Sequence, residues 1–287
     1  MSTKVDDVSA PVDGERSRAA SARSMLLTIL GEFVHTRDGS AWTGTLVAAL
    51  GALGVEEKSA RQTIARTASQ GIIESERHGR RVRWQLTDTG RALLAEGTER
   101  IYSFLRSRRT WDGQWLVVAA AVPESQRSTR HKLRTRLTWL GLGCPTPGMW
   151  IIPDADKEDE VQGALSDLDL ADRAFAWVGR RAAGTDPASL IDAAWDLVEV
   201  RSRYQEFAAD FTERSVDDDP AAFTAQVELI QAWRSFPFID PDLPAELLPP
   251  DWPGPAAATL FHTRRDRWHR RAQREWDRME QAAGERT

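Results

Sequence analysis

Arg61, Gln62 and Arg66 are spaced so that one helix can point all three off one side, and Arg80, Arg81 and Arg83 cluster around Gly79. A guanidinium fork matches a guanine edge or a phosphate, and a glutamine amide can pair with adenine. Such a set suits the reading of duplex DNA, where base contacts specify and phosphate contacts position. For any single arginine a solvated basic face is the plainer explanation. Catalytic groupings do not emerge from the same inspection. No P-loop, GxGxxG, GxSxG or HExxH pattern occurs. The five histidines, at 35, 78, 131, 262 and 269, lack metal-ligand spacing, and Cys144 has no nearby His or Asp to serve as a base. No enzyme activity, cofactor or metal is expected. Asp217-Asp218-Asp219 ahead of Pro220 reads as a solvated lead-in to a helix.

The elements that must carry these side chains can be read from periodicity and punctuation. Residues 1–20 are small and polar and are expected to be a disordered tail. Apolar residues from Leu26 to Val34 recur at helical spacing, and a second short helix follows Trp42 up to the glycines at 51 and 54. A third helix is expected from about Glu56 to Gln70, with Gly71 as its stop. Two short stretches, 72–77 and 82–86, flank His78-Gly79-Arg80-Arg81 as a β-hairpin, and Thr87 to Gly90 caps a further helix. The order helix, helix, helix, hairpin, helix is that of a winged helix-turn-helix.

Arg106 to Arg109 reads as a linker. Beyond it, a strand over Trp115–Val122, an Arg-rich amphipathic helix over Ser125–Trp139, a strand at 148–153, a helix over Glu158–Leu168 and a strand over Arg173–Val178 suggest a ferredoxin-like α/β layer. Helices are expected at 187–211, 220–236 and 256–283. Half of the fourteen prolines fall between 235 and 255, which makes that stretch an extended loop flanked by Trp233 and Trp252, two rings that could wall a ligand cleft.

Charge follows the same division. The net charge of −5 hides fourteen Lys/Arg against nine Asp/Glu in residues 21–109, and twenty-one against thirty in residues 110–287. A basic front on an acidic remainder is the electrostatic footprint of a DNA-reading domain attached to others. No apolar run of eighteen residues and no signal-peptide pattern occur, and one cysteine fits a reducing compartment, so a cytoplasmic protein away from membranes is expected.

Particular segments carry a resemblance. Ser59-Ala60-Arg61-Gln62-Thr63-Ile64-Ala65-Arg66, His78-Gly79-Arg80-Arg81 and Leu86-Thr87-Asp88-Thr89-Gly90 resemble the N-terminal domain of PaaX-type repressors. Asp112-Gly113-Gln114-Trp115, Val122-Pro123-Glu124, Trp139 to Gly143 and Gly148-Met149-Trp150-Ile151 are similar to that family's middle domain. Trp233-Arg234-Ser235-Phe236-Pro237-Phe238-Ile239-Asp240-Pro241-Asp242-Leu243-Pro244, with Leu247-Leu248-Pro249 and Asp251-Trp252-Pro253-Gly254, looks like its C-terminal signature. The likeness spans about residues 22–265.

The resemblance implies an α+β protein: a winged helix-turn-helix at 21–106, a ferredoxin-like, Cas2-like domain at 110–182 and a helical effector and dimerisation domain at 187–287. It implies a homodimeric bacterial repressor of aromatic-acid catabolism on double-stranded operator DNA, released by an aryl-acyl-CoA such as phenylacetyl-CoA. Ser59, Arg61, Gln62, Arg66, Arg80, Arg81 and Arg83 form the expected DNA-contacting set. Trp233, Arg234, Phe236, Phe238 and Trp252 form the expected effector set. A Cas2-like metal-dependent nuclease is the alternative, but the first middle-domain strand carries no carboxylate to hold Mg²⁺. An architectural nucleic-acid or partner-binding protein without effector is another. Arg267, Arg271, Arg274 and Arg278 share one helical face. They suit pairing with Asp266, Glu275 and Asp277 on their own helix; CoA phosphates, DNA backbone or a second subunit are the other candidate partners.

Overall fold

The computed structural model describes residues 12–106, 110–182, 184 and 186–285, with side chains from residue 21 onward. Residues 1–11 of the expected tail and 107–109 of the expected linker lie outside the described residues. From Val12 the backbone is already helical, so the first helix begins well ahead of the apolar stripe that marks it in the sequence.

Helix α1 (Val12–Ile29) widens into a π-turn over Leu30–Val34 and leads to β1 (Ser40–Trp42), α2 (Thr43–Ala52), α3 (Glu57–Ser69), β2 (Ile73–His78), β3 (Arg81–Leu86) and α4 (Asp88–Ser103). Next come β4 (Gln114–Ala120), α5 (Arg127–Trp139), β5 (Gly143–Thr146), β6 (Met149–Ile152), α6 (Glu158–Ser166) and β7 (Ala174–Arg180). The remainder is helical: α7 (Pro187–Ala194), α8 (Leu197–Thr212), α9 (Asp219–Trp233), α10 (Phe236–Ile239) and α11 (Gly254–Glu285). The single helix expected over 187–211 is two. Trp195 takes an extended conformation (φ −133°, ψ 146°), its indole N–H donates to the Gly141 carbonyl at 3.0 Å, and the Asp196 side chain caps α8 through the Glu199 N–H. No helix among the described residues is long and apolar enough to cross a membrane.

The chain forms two units. The first takes in the chain up to Ile101, then Arg214–Ala232 and the chain from Phe261; the second holds Tyr102–Glu213 and Trp233–Leu260. Two pieces of the expected C-terminal segment therefore pack with the N-terminal elements.

In the first unit β1, β3 and β2 form an antiparallel sheet in that order. Leu26, Ile29, Leu30 and Phe33 of α1 and its π-turn are buried with Leu46 and Leu50 of α2 and Ile64 of α3. Phe33 stacks on Trp276 of α11, with centroids 5.4 Å apart, and packs against Phe223 of α9. Gly71 ends α3 at φ +71°, a conformation open to glycine at little steric cost. At Gly90 a Cβ would lie 2.0 Å from the Ile72 carbonyl oxygen, so only glycine allows α4 to start there, capped by the Thr87 hydroxyl.

In the second unit β4 to β7, with α5 and α6, follow the order β-α-β-β-α-β, and the sheet order is β5-β6-β4-β7, antiparallel throughout. This is the split βαβ arrangement. Alternation on β4 sends Leu116, Val118 and Ala120 against Leu133 and Leu137 of α5 and Val161 and Leu165 of α6. Trp115 on the opposite face joins Ile151, Ile191, Leu197, Leu243 and Leu247.

Candidate nucleic-acid interface

Ala60, Thr63, Ile64 and Thr67 recur at i, i+3, i+4 and i+7 and are buried, which turns the other side of α3 to solvent. Arg61, Gln62 and Arg66 are all exposed there, and Ser59 is half-buried at the edge of the face. The structure thus brings these four expected residues together. Arg61 pairs with Glu57 one turn earlier at 2.8 Å. An exposed pair of this kind stabilises by roughly 0.3–0.5 kcal/mol, so a base or phosphate can replace it at little cost. Lys58 also stands exposed on this face, three and four residues ahead of Arg61 and Gln62. Sequence reasoning passed over it although the spacing was available.

The hairpin carries a two-residue turn, His78 pairing with Arg81 across it. Of the two turn residues only Gly79 has positive φ, +63°, as a type II′ turn requires of its first central residue. Arg80 is exposed at the tip, and Arg77 is exposed on the strand before it. Neither guanidinium meets a carboxylate among the described residues. Arg81 and Arg83 behave differently. They alternate onto the sheet face that holds Trp42, with guanidinium carbons 4.6 Å and 5.2 Å from the indole ring centre. Arg83 pairs with Asp38 at 2.9 Å, and Arg81 donates to the Gly284 carbonyl near the end of α11. The structure groups Arg80 with solvent and holds Arg81 and Arg83 against the protein. Sequence spacing could not separate them, because the separation depends on a helix about two hundred residues further along.

Helix α11 is fastened along much of this unit. The Glu280 carboxylate accepts the Trp42 backbone N–H at 3.1 Å, and Arg37 donates to Gln273 and Asp277. Deeper in, Glu32 on the π-turn is 3% exposed and accepts from Arg265 at 2.8 Å and from Gln226 at 2.7 Å. Ser24 and Thr28, two turns and one turn earlier on α1, both bond to Gln231 at 2.7 Å. Three arginines of the α11 stripe, Arg271, Arg274 and Arg278, meet acceptors within their own unit, while Arg267 is exposed. Arg274 forks onto Asp219 with two bonds of 2.8 Å, and this hydrogen bond holds the Asp219 carboxyl below its usual value. Arg271 donates to the Val216 carbonyl, and Arg278 pairs with Glu275. Arg271, Arg274 and Arg278 line an open groove of about 440 Å³ together with Asp217, Asp218, Asp219 and Glu275, so its cations are already matched by carboxylates.

The expected effector residues do not share one surface. Trp233 and Phe236 are core residues, 0% and 2% exposed, in an aromatic cluster with Tyr204 and Phe207; the Tyr204 and Phe236 rings stack 4.1 Å apart. Trp252 is half-buried, edge-on to Tyr204, with Arg201 over its ring, and Arg201 also forks onto Asp251. Arg234 is half-buried. Phe238 alone is open, stacked at 5.7 Å on Trp139 of α5 beside a cavity of about 40 Å³. Asp240 lines the same cavity from within. It accepts the Tyr204 hydroxyl at 2.6 Å, and burial pushes its carboxyl above the usual value.

Known proteins match the chain in the order in which its elements are built. The family model described as PaaX-like protein matches residues 21–90, the PaaX protein central Cas2-like domain residues 108–191, and the PaaX-like protein C-terminal domain residues 195–278. The chain is 29% identical over 251 residues to the transcriptional repressor PaaX of Escherichia coli strain K12, which covers 84% of this chain and 78% of that protein. The fold is similar to that of an uncharacterized protein from Mycobacterium tuberculosis, with a TM-score of 0.62 at 24% identity over 90% of this chain and 98% of the other. These matches define a regulatory protein and not an enzyme. Within that class, the chain belongs to the PaaX family.

Proposed function

We propose that this chain is a DNA-binding transcriptional repressor of the PaaX kind. In this reading the first unit is a winged helix-turn-helix: α2 and α3 form the helix pair, α3 enters the major groove, and the β2–β3 hairpin is the wing. The observation that carries it is the exposed face of α3, where Lys58, Arg61, Gln62 and Arg66 stand together in the unit whose hairpin carries Arg80 at its tip. Arg61, Gln62 and Arg66 read bases, with Ser59 at the edge; Arg80 holds phosphate. The repressor acts as a homodimer on a two-fold operator in an aromatic-acid catabolic operon.

The proposed effector is an aryl-acyl-CoA such as phenylacetyl-CoA. Of the effector set, Phe238 is the ring an apolar acyl end can meet. The cavity beside it has room for about one water, so it must widen to admit an aryl group. Trp233, Phe236 and Trp252 then act by holding the C-terminal signature in shape. An effector gains leverage only through unequal affinity for the free and DNA-bound states, so acyl-CoA affinity must fall when operator is present.

The test titrates labelled upstream DNA with the full chain, with and without phenylacetyl-CoA, beside an Arg61→Ala/Gln62→Ala/Arg66→Ala variant. A base-reading arginine contributes about 1–3 kcal/mol, so the variant must lose operator preference while staying folded. Wild-type binding by the folded variant would refute the role of α3. Equal acyl-CoA affinity with and without operator would refute the effector alone.

A further inference from the structure

Two arginine-rich helices in this chain differ in how far acidic residues accompany their charges. On α11, Arg265, Arg271, Arg274 and Arg278 each meet an acceptor within their own unit. On α5, thirteen residues carry Arg127, Arg130, Lys132, Arg134 and Arg136, with His131 and without one Asp or Glu. This helix lies in the part of the chain where acidic residues outnumber basic ones thirty to twenty-one. Its first turn carries no acid to complement the helix dipole. Leu133 and Leu137 bury one side against the sheet, 2% and 0% exposed. Arg127, Arg130, His131 and Arg134, at i, i+3, i+4 and i+7, are all exposed. Among the described residues the one side-chain ion pair of α5 is Arg136 with Asp167, on another stripe. Arg130 donates to the Glu124 carbonyl. Arg127 and Arg134 stand two turns apart, about 10.5 Å by the helical rise, the axial span of about three nucleotide steps.

We propose that this stripe of α5 is a second phosphate-binding surface, carried by the second unit, that grips DNA backbone flanking the bases read by α3. The inference rests on the DNA-binding reading above. It adds a contact without sequence preference, because a guanidinium on a phosphate reads charge and not base identity.

The experiment uses the full chain, wild type and Arg127→Gln/Arg134→Gln, on two duplexes: the shortest that retains specific binding, and the same with about one helical turn of arbitrary sequence added at each end. Affinity is followed against salt. The wild type is expected to show a steeper log–log slope on the long duplex, and the variant to lose about 3.6 units of slope there, roughly 0.9 for each of the four phosphates released by the two copies of the stripe in the dimer. On the short duplex the variant and wild type should agree, with unchanged sequence preference. Arg127→Lys/Arg134→Lys keeps the charge and must restore the slope. A wild-type slope independent of duplex length, or a variant slope equal to wild type on the long duplex, overturns the proposal while α3 still binds. Loss of coenzyme A binding by the Gln variant with its DNA slope intact also overturns it, assigning the stripe to a small phosphate ligand. Failure of the wild type to bind either duplex refutes the DNA-binding reading itself.

Discussion

Replacing Glu32 by leucine is expected to be among the most damaging single changes in the first unit. The carboxylate is 3% exposed and takes hydrogen bonds from Arg265 and Gln226. Removing it leaves a guanidinium whose side chain is 23% exposed and an amide that is fully buried. Stripping one partner from a buried ion pair costs about 3–5 kcal/mol. Water reaches part of Arg265, so the lower end, about 3 kcal/mol, applies. For a body of 150–250 residues each kcal/mol lowers Tm by about 2–4 °C, giving a fall of roughly 6–12 °C by calorimetry or circular dichroism. The double variant Glu32→Leu/Arg265→Met removes both charges of the pair together. It should lie only about 1 kcal/mol below wild type, the order of cost for one lost hydrogen bond of the buried Gln226 amide. A single variant within 1 kcal/mol of wild type, or a double variant showing no recovery, would refute the reasoning.

Arg80→Ala should flatten the salt slope of DNA binding by roughly two units, one per protomer of the dimer, for all sequences alike, whereas Arg81→Ala and Arg83→Ala, whose side chains are held on Trp42, should lower thermal stability more than slope. A steeper slope loss in Arg81→Ala than in Arg80→Ala would reverse the assignment. Trp233→Ala should destabilise by about 3–5 kcal/mol, read as an earlier urea midpoint, and an undiminished midpoint would mean that the ring is not core. The Asp240 carboxyl is held above its usual 3.8 by burial, so the folded chain keeps a proton that the unfolded chain has lost. Stability from this group therefore declines as pH rises above that value. Urea midpoints of Asp240→Asn should fall less with rising pH than those of wild type; identical pH profiles would refute this.

Much of this architecture is written locally. Helix α3 and the hairpin were legible because Ala60, Thr63, Ile64 and Thr67 repeat at helical spacing and Gly71 and Gly79 mark a stop and a turn. The three-residue β1 is too short to show a period, and Pro145 hides β5, since proline argues against a strand. The break at Trp195 has no Gly or Pro to announce it; Asp196, a good capping residue, was the available signal. The α11 arginines were harder. Their spacing suggested partners on the same helix, and one of them, Arg278, does pair that way with Glu275. Arg274 instead finds Asp219, and Arg265 finds Glu32, across distances in sequence that no periodicity spans. The expected DNA-contacting and effector sets each divided for the same reason, since exposure at Arg81 or Trp233 is decided by elements far away in the chain.

The unit that carries α3 is assembled from three separated pieces of chain, and the last begins at Phe261. A ribosome making this protein emits residues up to Ile101 and must then add about 160 more before the α11 partners of Phe33 and Glu32 emerge. At roughly 5–20 residues per second that is a wait of about ten to thirty seconds. During it Phe33 and Glu32 lack the Trp276 and Arg265 that cover and neutralise them. A half-made copy therefore carries this unit with its core uncovered at Phe33 and Glu32 until the last piece of chain arrives.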